Sequence, residues 1–257
     1  MKKPLREQAL EYLLYLKEQG LTHVPASGKT LPKPSAARSH SPVAPSSRTS
    51  DPRSPTSDLG PRPSAIPPVP PPLAPIVKEI AACQRCPLAA TRTNTVPGQG
   101  ALKPDIMFVG EGPGADEDAQ GLAFVGRAGQ LLTKMIEAMG YARDQVFIGN
   151  IVKCRPPGNR VPTPEEMAGC LPYLKRQIAI IQPKLIVCLG ATAARGLVNE
   201  TLPIGKARGH WREFEGIPVM LTFHPAYLLR DPRQKAPCWA DLKAVLARLG
   251  KAPPPAP

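Results

Sequence analysis

Residues 105–132 read DIMFVGEGPGADEDAQGLAFVGRAGQLL, and this stretch decides the fold. The apolar run Asp105–Gly110 is too short for a helix and ends in a glycine-rich turn, as a buried strand does. Helical spacing resumes over Gly129–Met139. The alternation then recurs. Gln145–Asn150 is followed by the helical pattern Pro164–Ile181, and Lys184–Gly190 by Ala191–Val198. Pro218–Phe223 precedes an amphipathic stretch at about Pro237–Leu249. Strands alternating with helices predict an α/β fold in three layers, a parallel sheet of four strands with helices on both faces. Thr163 before Pro164, Glu165 and Glu166 is a helix start, with Thr as N-cap and Pro in the first turn. No internal repeat is visible.

In open parallel sheets, ligands sit beyond the carboxyl ends of the strands. Gly110-Glu111-Gly112-Pro113-Gly114 follows the first strand, Asn150 ends the second, and His224-Pro225 follows the fourth. Three distant segments therefore converge on one rim, and a site is predicted there.

The 257 residues include 35 prolines, and fifteen of these lie between Pro25 and Pro75. That segment offers too little apolar surface to offset the entropy of ordering, so residues 22–75 read as a disordered linker. Residues 1–21 carry Leu5, Ala9, Leu13 and Leu16 at helical spacing, an amphipathic helix suited to a partner protein or to the chain's own domain. Arg6, Glu7 and Glu11 break any signal-like apolar core. The folded domain is expected over 76–250, with 251–257 a flexible tail. Net charge is +13, and residues 76–257 carry 23 Lys and Arg against 15 Asp and Glu. A basic excess on the domain points to a polyanionic partner, nucleic acid first. No apolar run reaches the length of a membrane span. A cytoplasmic protein with reduced thiols is the expectation.

Cys83 and Cys86 form a C-x₂-C pair, and Cys154 and Cys170 lie far downstream. Arg85, Lys153 and Arg155 flank them and would offset thiolate charge. Zinc and a [4Fe–4S] cluster both satisfy four cysteines; one close pair with two distant single residues leans towards iron–sulfur. Cys188, within a strand, and Cys238, at a helix start, read as small buried residues.

Four stretches carry a family resemblance: CQRCPLAATRTNTVPGQG (Cys83–Gly100), GEGPGADEDAQGLAFVGRAGQLL (Gly110–Leu132), NIVKCRPPGNRVPTPEEMAGC (Asn150–Cys170) and HPAYLLRDP (His224–Pro232). In order and spacing they resemble the family 4 uracil-DNA glycosylases, over residues 77–250. The resemblance implies a [4Fe–4S] cluster on Cys83, Cys86, Cys154 and Cys170. It also implies uracil-containing DNA as substrate, single- or double-stranded, and hydrolysis of the N-glycosidic bond of a flipped-out deoxyuridine, the first step of base excision repair. A monomer is expected.

The resemblance assigns roles that the chemistry supports. Phe124 would stack on the base. The Asn150 amide can donate to uracil O4 and accept from N3–H, a pattern that cytosine reverses. His224 would stabilise the charge developing on uracil O2. Gly110, Glu111 and Gly112 would lie against the base. Better-known uracil glycosylases carry a water-activating aspartate at the position of Gly112, so Glu111 is the substitute carboxylate. Glu117 resembles the position that crowds C5 and rejects thymine; an exposed acidic turn explains Asp116-Glu117-Asp118 equally well. Tyr227, Leu228 and Leu229 would enter the minor groove, with Arg230, Arg233 and Lys235 on phosphates, joined by Lys206, Arg208 and Arg212. The family usually has Pro where this chain has Ala123, which is expected to loosen the loop.

Two alternatives come from other functional classes. A weakly catalytic uracil-DNA-binding module would carry a basic loop with a histidine near Cys154, and CRPPGNRVPTP has neither. An electron-transfer protein would have no use for the base-pocket motifs. A glycosylase acting on other deaminated bases is a further alternative, against which Glu111 and Asn150 favour uracil.

Overall fold

The run at 106–110 does form a strand, and every residue of it is buried. This computed structural model describes residues 69–254. Its strands are β1 (Gln99–Gly100), β2 (Ile106–Gly110), β3 (Phe147–Asn150), β4 (Leu185–Leu189), β5 (Trp211–Phe214) and β6 (Ile217–Thr222). They form one sheet in the order β1-β3-β2-β4-β6-β5. The four central strands are parallel, as the alternation predicts. Two antiparallel edge strands extend the expected four-stranded sheet to six. Neither edge leaves a clear sequence signal: β1 is two residues long, and β5 (WREF) is mostly half-exposed.

The helices are α1 (Ala74–Ala81), α2 (Ala115–Gln120), α3 (Arg127–Ala138), α4 (Pro164–Ile181), α5 (Ala191–Val198), α6 (Ile204–Ala207), α7 (Pro225–Arg230) and α8 (Lys235–Arg248). Side chains alternate across β2, so Met107 and Val109 join one core while Ile106 and Phe108 join the other. The first core is closed by α1, α4 and α5 through Ile76, Leu174 and Leu197. The second is closed by α3 and α8 through Leu132, Ile136, Leu242 and Val245. The start of α4 is as expected: the Glu166 N–H donates to Thr163 Oγ1 (3.2 Å), and the Thr163 N–H donates to Glu166 Oε2 (2.8 Å).

The packed part begins earlier than Ile76. Leu73 is fully buried and α1 starts at Ala74, because apolar side chains recur among these last prolines. At the other end, Lys251 Nζ donates to Asp105 Oδ2 (2.8 Å), which ties down the start of the expected tail. The expected N-terminal helix and most of the linker lie outside the described residues. Among the described residues, no helix is long and apolar enough to cross a membrane.

Pairing of Gly110 with Asn150, and of Leu189 with Thr222, brings the strand ends level. The segments that follow, including His224, therefore meet on one rim.

Candidate active site and thiol cavity

A cleft of about 350 Å³ opens at this rim, lined among others by Glu111, Gly112, Glu117, Phe124, Asn150 and His224. Its size is at the lower end for small-molecule pockets, roughly 300 Å³ and upward. Gly110 lies beneath it. A Cβ there would come within 2.5 Å of both Asn150 Oδ1 and Phe124 Cζ, so a bare backbone is what lets the amide and the ring approach each other.

Asn150 is 1% exposed, and its Oδ1 has no hydrogen-bond partner. Leaving a buried acceptor unpaired costs about 1–3 kcal/mol, so such an atom in a cleft marks where a ligand donor belongs. The residue itself is firmly held, since Lys153 Nζ donates to its main-chain oxygen (2.8 Å). Burial lowers the Lys153 ammonium to about 8.

His224 is the N-cap of α7, and its Nδ1 accepts the Ala226 N–H (3.1 Å). In the neutral ring the proton is therefore on Nε2. Burial, with the Arg230 cation second, lowers the imidazole pKa to about 4. The ring centroid is 5.6 Å from that of Phe124. The cleft thus combines an unpaired acceptor, a neutral imidazole donor and an aromatic face.

Glu111 continues from β2, and its Oε2 accepts the Thr192 hydroxyl (2.5 Å) at the start of α5. Glu117 is not part of a solvated acidic turn. Its Oε2 accepts the Gly114 N–H (3.1 Å), and its Oε1 accepts the N–H groups of Val125 and Gly126 (2.9 Å each). The carboxylate laces together two walls of the cleft. Asp118 is buried and accepts the N–H groups of Thr93 and Asn94. Ala123 does not leave the loop loose: it keeps an N–H that proline would lack, and this donates to Gln99 Oε1 (2.9 Å). Gln99 and Thr192 are assigned no role from the sequence because each acts across a long chain separation. Arg127, Asn159 and Arg160 also line the cleft; they lie within the resembling stretches, but no role is assigned to them there.

The expected DNA-facing residues divide. Leu229 and Arg230 are exposed, and Tyr227 is half-buried against Phe223, with ring centroids 5.0 Å apart. Leu228 is 2% exposed and belongs to the core. Successive residues on a helix point about 100° apart, so Tyr227, Leu228 and Leu229 cannot share one face. Lys206 and Lys235 are exposed. Arg208 is instead paired with buried Asp241 (2.5 Å) and Arg212 with Glu200 (2.6 Å), whereas Arg233, in a surface pair with Asp231 (2.8 Å), stays exposed.

On the α1 and α4 side of the sheet, Cys83, Cys86, Cys154 and Cys170 line one small cavity with Arg85, Arg92 and Lys153. Arg92 Nη1 donates to Cys154 Sγ (3.3 Å), and the Lys153 N–H donates to Cys170 Sγ (3.3 Å). Burial raises the pKa of the Cys154 thiol and pushes that of Cys170 up to about 11. Among the described residues no three His, Cys, Asp or Glu side chains close on a point as ligands of one ion would. The thiols surround a space instead, with donors aimed at two of the sulfurs, a setting that fits a thiolate-bound group. Arg155 turns away to Asn159 Oδ1 (2.7 Å), so Arg92, which no spacing singles out, supplies the charge expected of it. Cys188 and Cys238 are buried elsewhere in the core, as expected.

Residues 97–243 match the family described as the uracil DNA glycosylase superfamily. The chain is 44% identical over 187 residues to the type-4 uracil-DNA glycosylase of Archaeoglobus fulgidus, spanning 70% of this chain and 94% of that one. It is 51% identical over 158 residues to the type-4 uracil-DNA glycosylase of Thermotoga maritima, spanning 61% and 82%. Similarity to the type-5 uracil-DNA glycosylase of Pyrobaculum aerophilum is lower, 29% over 185 residues, spanning 59% and 81%.

Proposed function

The chain belongs to the uracil-DNA glycosylase superfamily, in its type-4 branch, and we propose that its cleft hydrolyses the N-glycosidic bond of deoxyuridine flipped out of DNA. The observation that carries this reading is the unpartnered Asn150 Oδ1 in a cleft that Phe124 and His224 also line. Uracil N3–H supplies the donor this atom lacks, while the amide N–H meets O4. Cytosine has an acceptor at N3 and a donor at C4, so it would leave two buried polar pairs opposed. Phe124 stacks on the base.

As the bond from the sugar carbon to N1 breaks, its electron pair leaves with uracil and charge builds on O2. His224, neutral with its proton on Nε2, donates there and lowers the barrier electrostatically. Water adds to the sugar carbon, and one of its protons ends on the departing base. Glu111, oriented by Thr192, is the carboxylate that holds this water and faces the cationic sugar. Glu117 keeps the cleft narrow beside the base by holding both its walls. Leu229 and Arg230 meet the DNA strand.

Cys83, Cys86, Cys154 and Cys170 would hold a [4Fe–4S] cluster. When bound it would cross-link the segment after α1, helix α4 and the segment after β3, and Arg92, which donates to Cys154 Sγ, would offset part of its negative charge.

The test is cleavage of a labelled oligonucleotide holding one uracil, beside copies holding thymine or cytosine there. Alkali-labile breaks at uracil alone are expected, and their loss in His224→Ala. Tight binding without breaks would favour a sequestering module and sink the catalytic reading.

A further inference from the structure

We infer that Arg143 is a positioning residue for the base-stacking ring, holding the Phe124 backbone in the one conformation that presents the ring to the cleft; this rests on Phe124 being the stacking surface. Phe124 has φ +52°, a left-handed backbone that bulky side chains disfavour. Something must over-determine it. Arg143, 6% exposed in the turn before β3, does so from nineteen residues away. Its Nη2 donates twice, to the main-chain oxygens of Ala123 (2.6 Å) and Phe124 (3.0 Å). In an extended chain successive carbonyls point to opposite sides. Two of them meeting on one nitrogen therefore select the turned backbone at Phe124. Nη1 donates to Thr133 Oγ1 (2.9 Å) and so anchors the guanidinium to α3.

Neighbouring groups brace the same loop on either side of Phe124. Gln99 engages both main-chain groups of Ala123, donating to its oxygen and accepting from its N–H, and Glu117 takes the next two N–H groups, those of Val125 and Gly126. Gly129 passes so close that a Cβ there would lie 1.9 Å from Phe124 O. Lysine at 143 would keep the charge but lose the planar fork that reaches two carbonyls and a hydroxyl together.

The test is a double-mutant cycle on uracil excision with Arg143→Met and Phe124→Ala, measuring kcat and KM alongside thermal melting. Phe124→Ala should lower kcat/KM about ten-fold or more, mainly through KM. Arg143→Met should match it in size and in its KM-weighted character. The double variant should lose no more than about three-fold beyond the worse single one, because both remove the same stack. Arg143→Lys should melt higher than Arg143→Met yet recover little activity. Fully multiplicative losses would overturn the inference while leaving the stacking reading intact. An unimpaired Phe124→Ala would overturn both. Should Arg143→Met fail to fold, Thr133→Val, which frees only the outer anchor, takes its place in the cycle. Losses that overlap those of Phe124→Ala then support the inference, and multiplicative ones overturn it.

Discussion

Replacing Asn150 by alanine should damage function and spare the fold, a combination few buried polar residues would show. Asn150 is 1% exposed, yet its Oδ1 has no partner in the protein. Removing the amide deletes an unsatisfied acceptor worth about 1–3 kcal/mol of penalty. The bond from Lys153 goes to the main-chain oxygen and survives the change. Truncation beside an open cleft lets water in and adds little cavity cost, so the melting temperature should hold or rise by about 2–4 °C. With uracil bound, the same change removes two hydrogen bonds and leaves N3–H and O4 unpaired in a closed pocket. At about 1–3 kcal/mol for each of the two unpaired groups, the loss totals roughly 2–6 kcal/mol, or about 30-fold to 10⁴-fold in kcat/KM. Single-turnover cleavage of a uracil oligonucleotide, read as alkali-labile breaks, gives the activity, and a thermal melt gives the stability. A kcat/KM within about three-fold of the parent, or a melting temperature that falls by 10 °C or so, would refute the reasoning.

Neighbouring geometry sets three further expectations. His224 has its pKa lowered to about 4, below the ordinary value near 6.5, so the folded state binds the proton more weakly than the unfolded chain. Its contribution is complete above about pH 6.5 and is lost as pH falls towards 4; allowing for solvent at a half-buried ring, roughly 1–2 kcal/mol should disappear from denaturant midpoints across that window, and His224→Gln should flatten it. If the four thiols hold the proposed [4Fe–4S] cluster, Cys170→Ser should lower bound iron and sulfide and cut the melting temperature by about 10 °C or more, since a structural metal centre contributes folding energy; unchanged iron content would remove Cys170 from the ligand set. Arg208→Ala should cost about 3 kcal/mol of stability by stranding buried Asp241, and leave the salt dependence of DNA binding unaltered; a shallower salt slope would return Arg208 to the phosphates.

The order of strands and helices was legible in the sequence because its causes are local. Three of the four short apolar runs end in glycine or asparagine, helical spacing lies between them, and the Thr163–Glu166 start and the Pro164–Ile181 helix appear as expected. The rule that ligands gather at the carboxyl ends of parallel strands then pointed to the rim where a cleft opens, and the resemblance assigned chemistry to residues that do line it. The four cysteines were likewise assigned by motif and share one cavity. Only the tertiary structure decided which polar groups are already engaged and which are free for a ligand. Glu117 is consumed by backbone donors, Arg208 by Asp241, and Leu228 by the core, while Asn150 Oδ1 is left open. Arg143 at Phe124, Gln99 at Ala123 and Arg92 at Cys154 acquire their roles from contacts 19 to 62 residues along the chain. Periodicity and capping act within a few residues along the chain. Whether a buried polar group is satisfied depends on what packing brings against it from elsewhere.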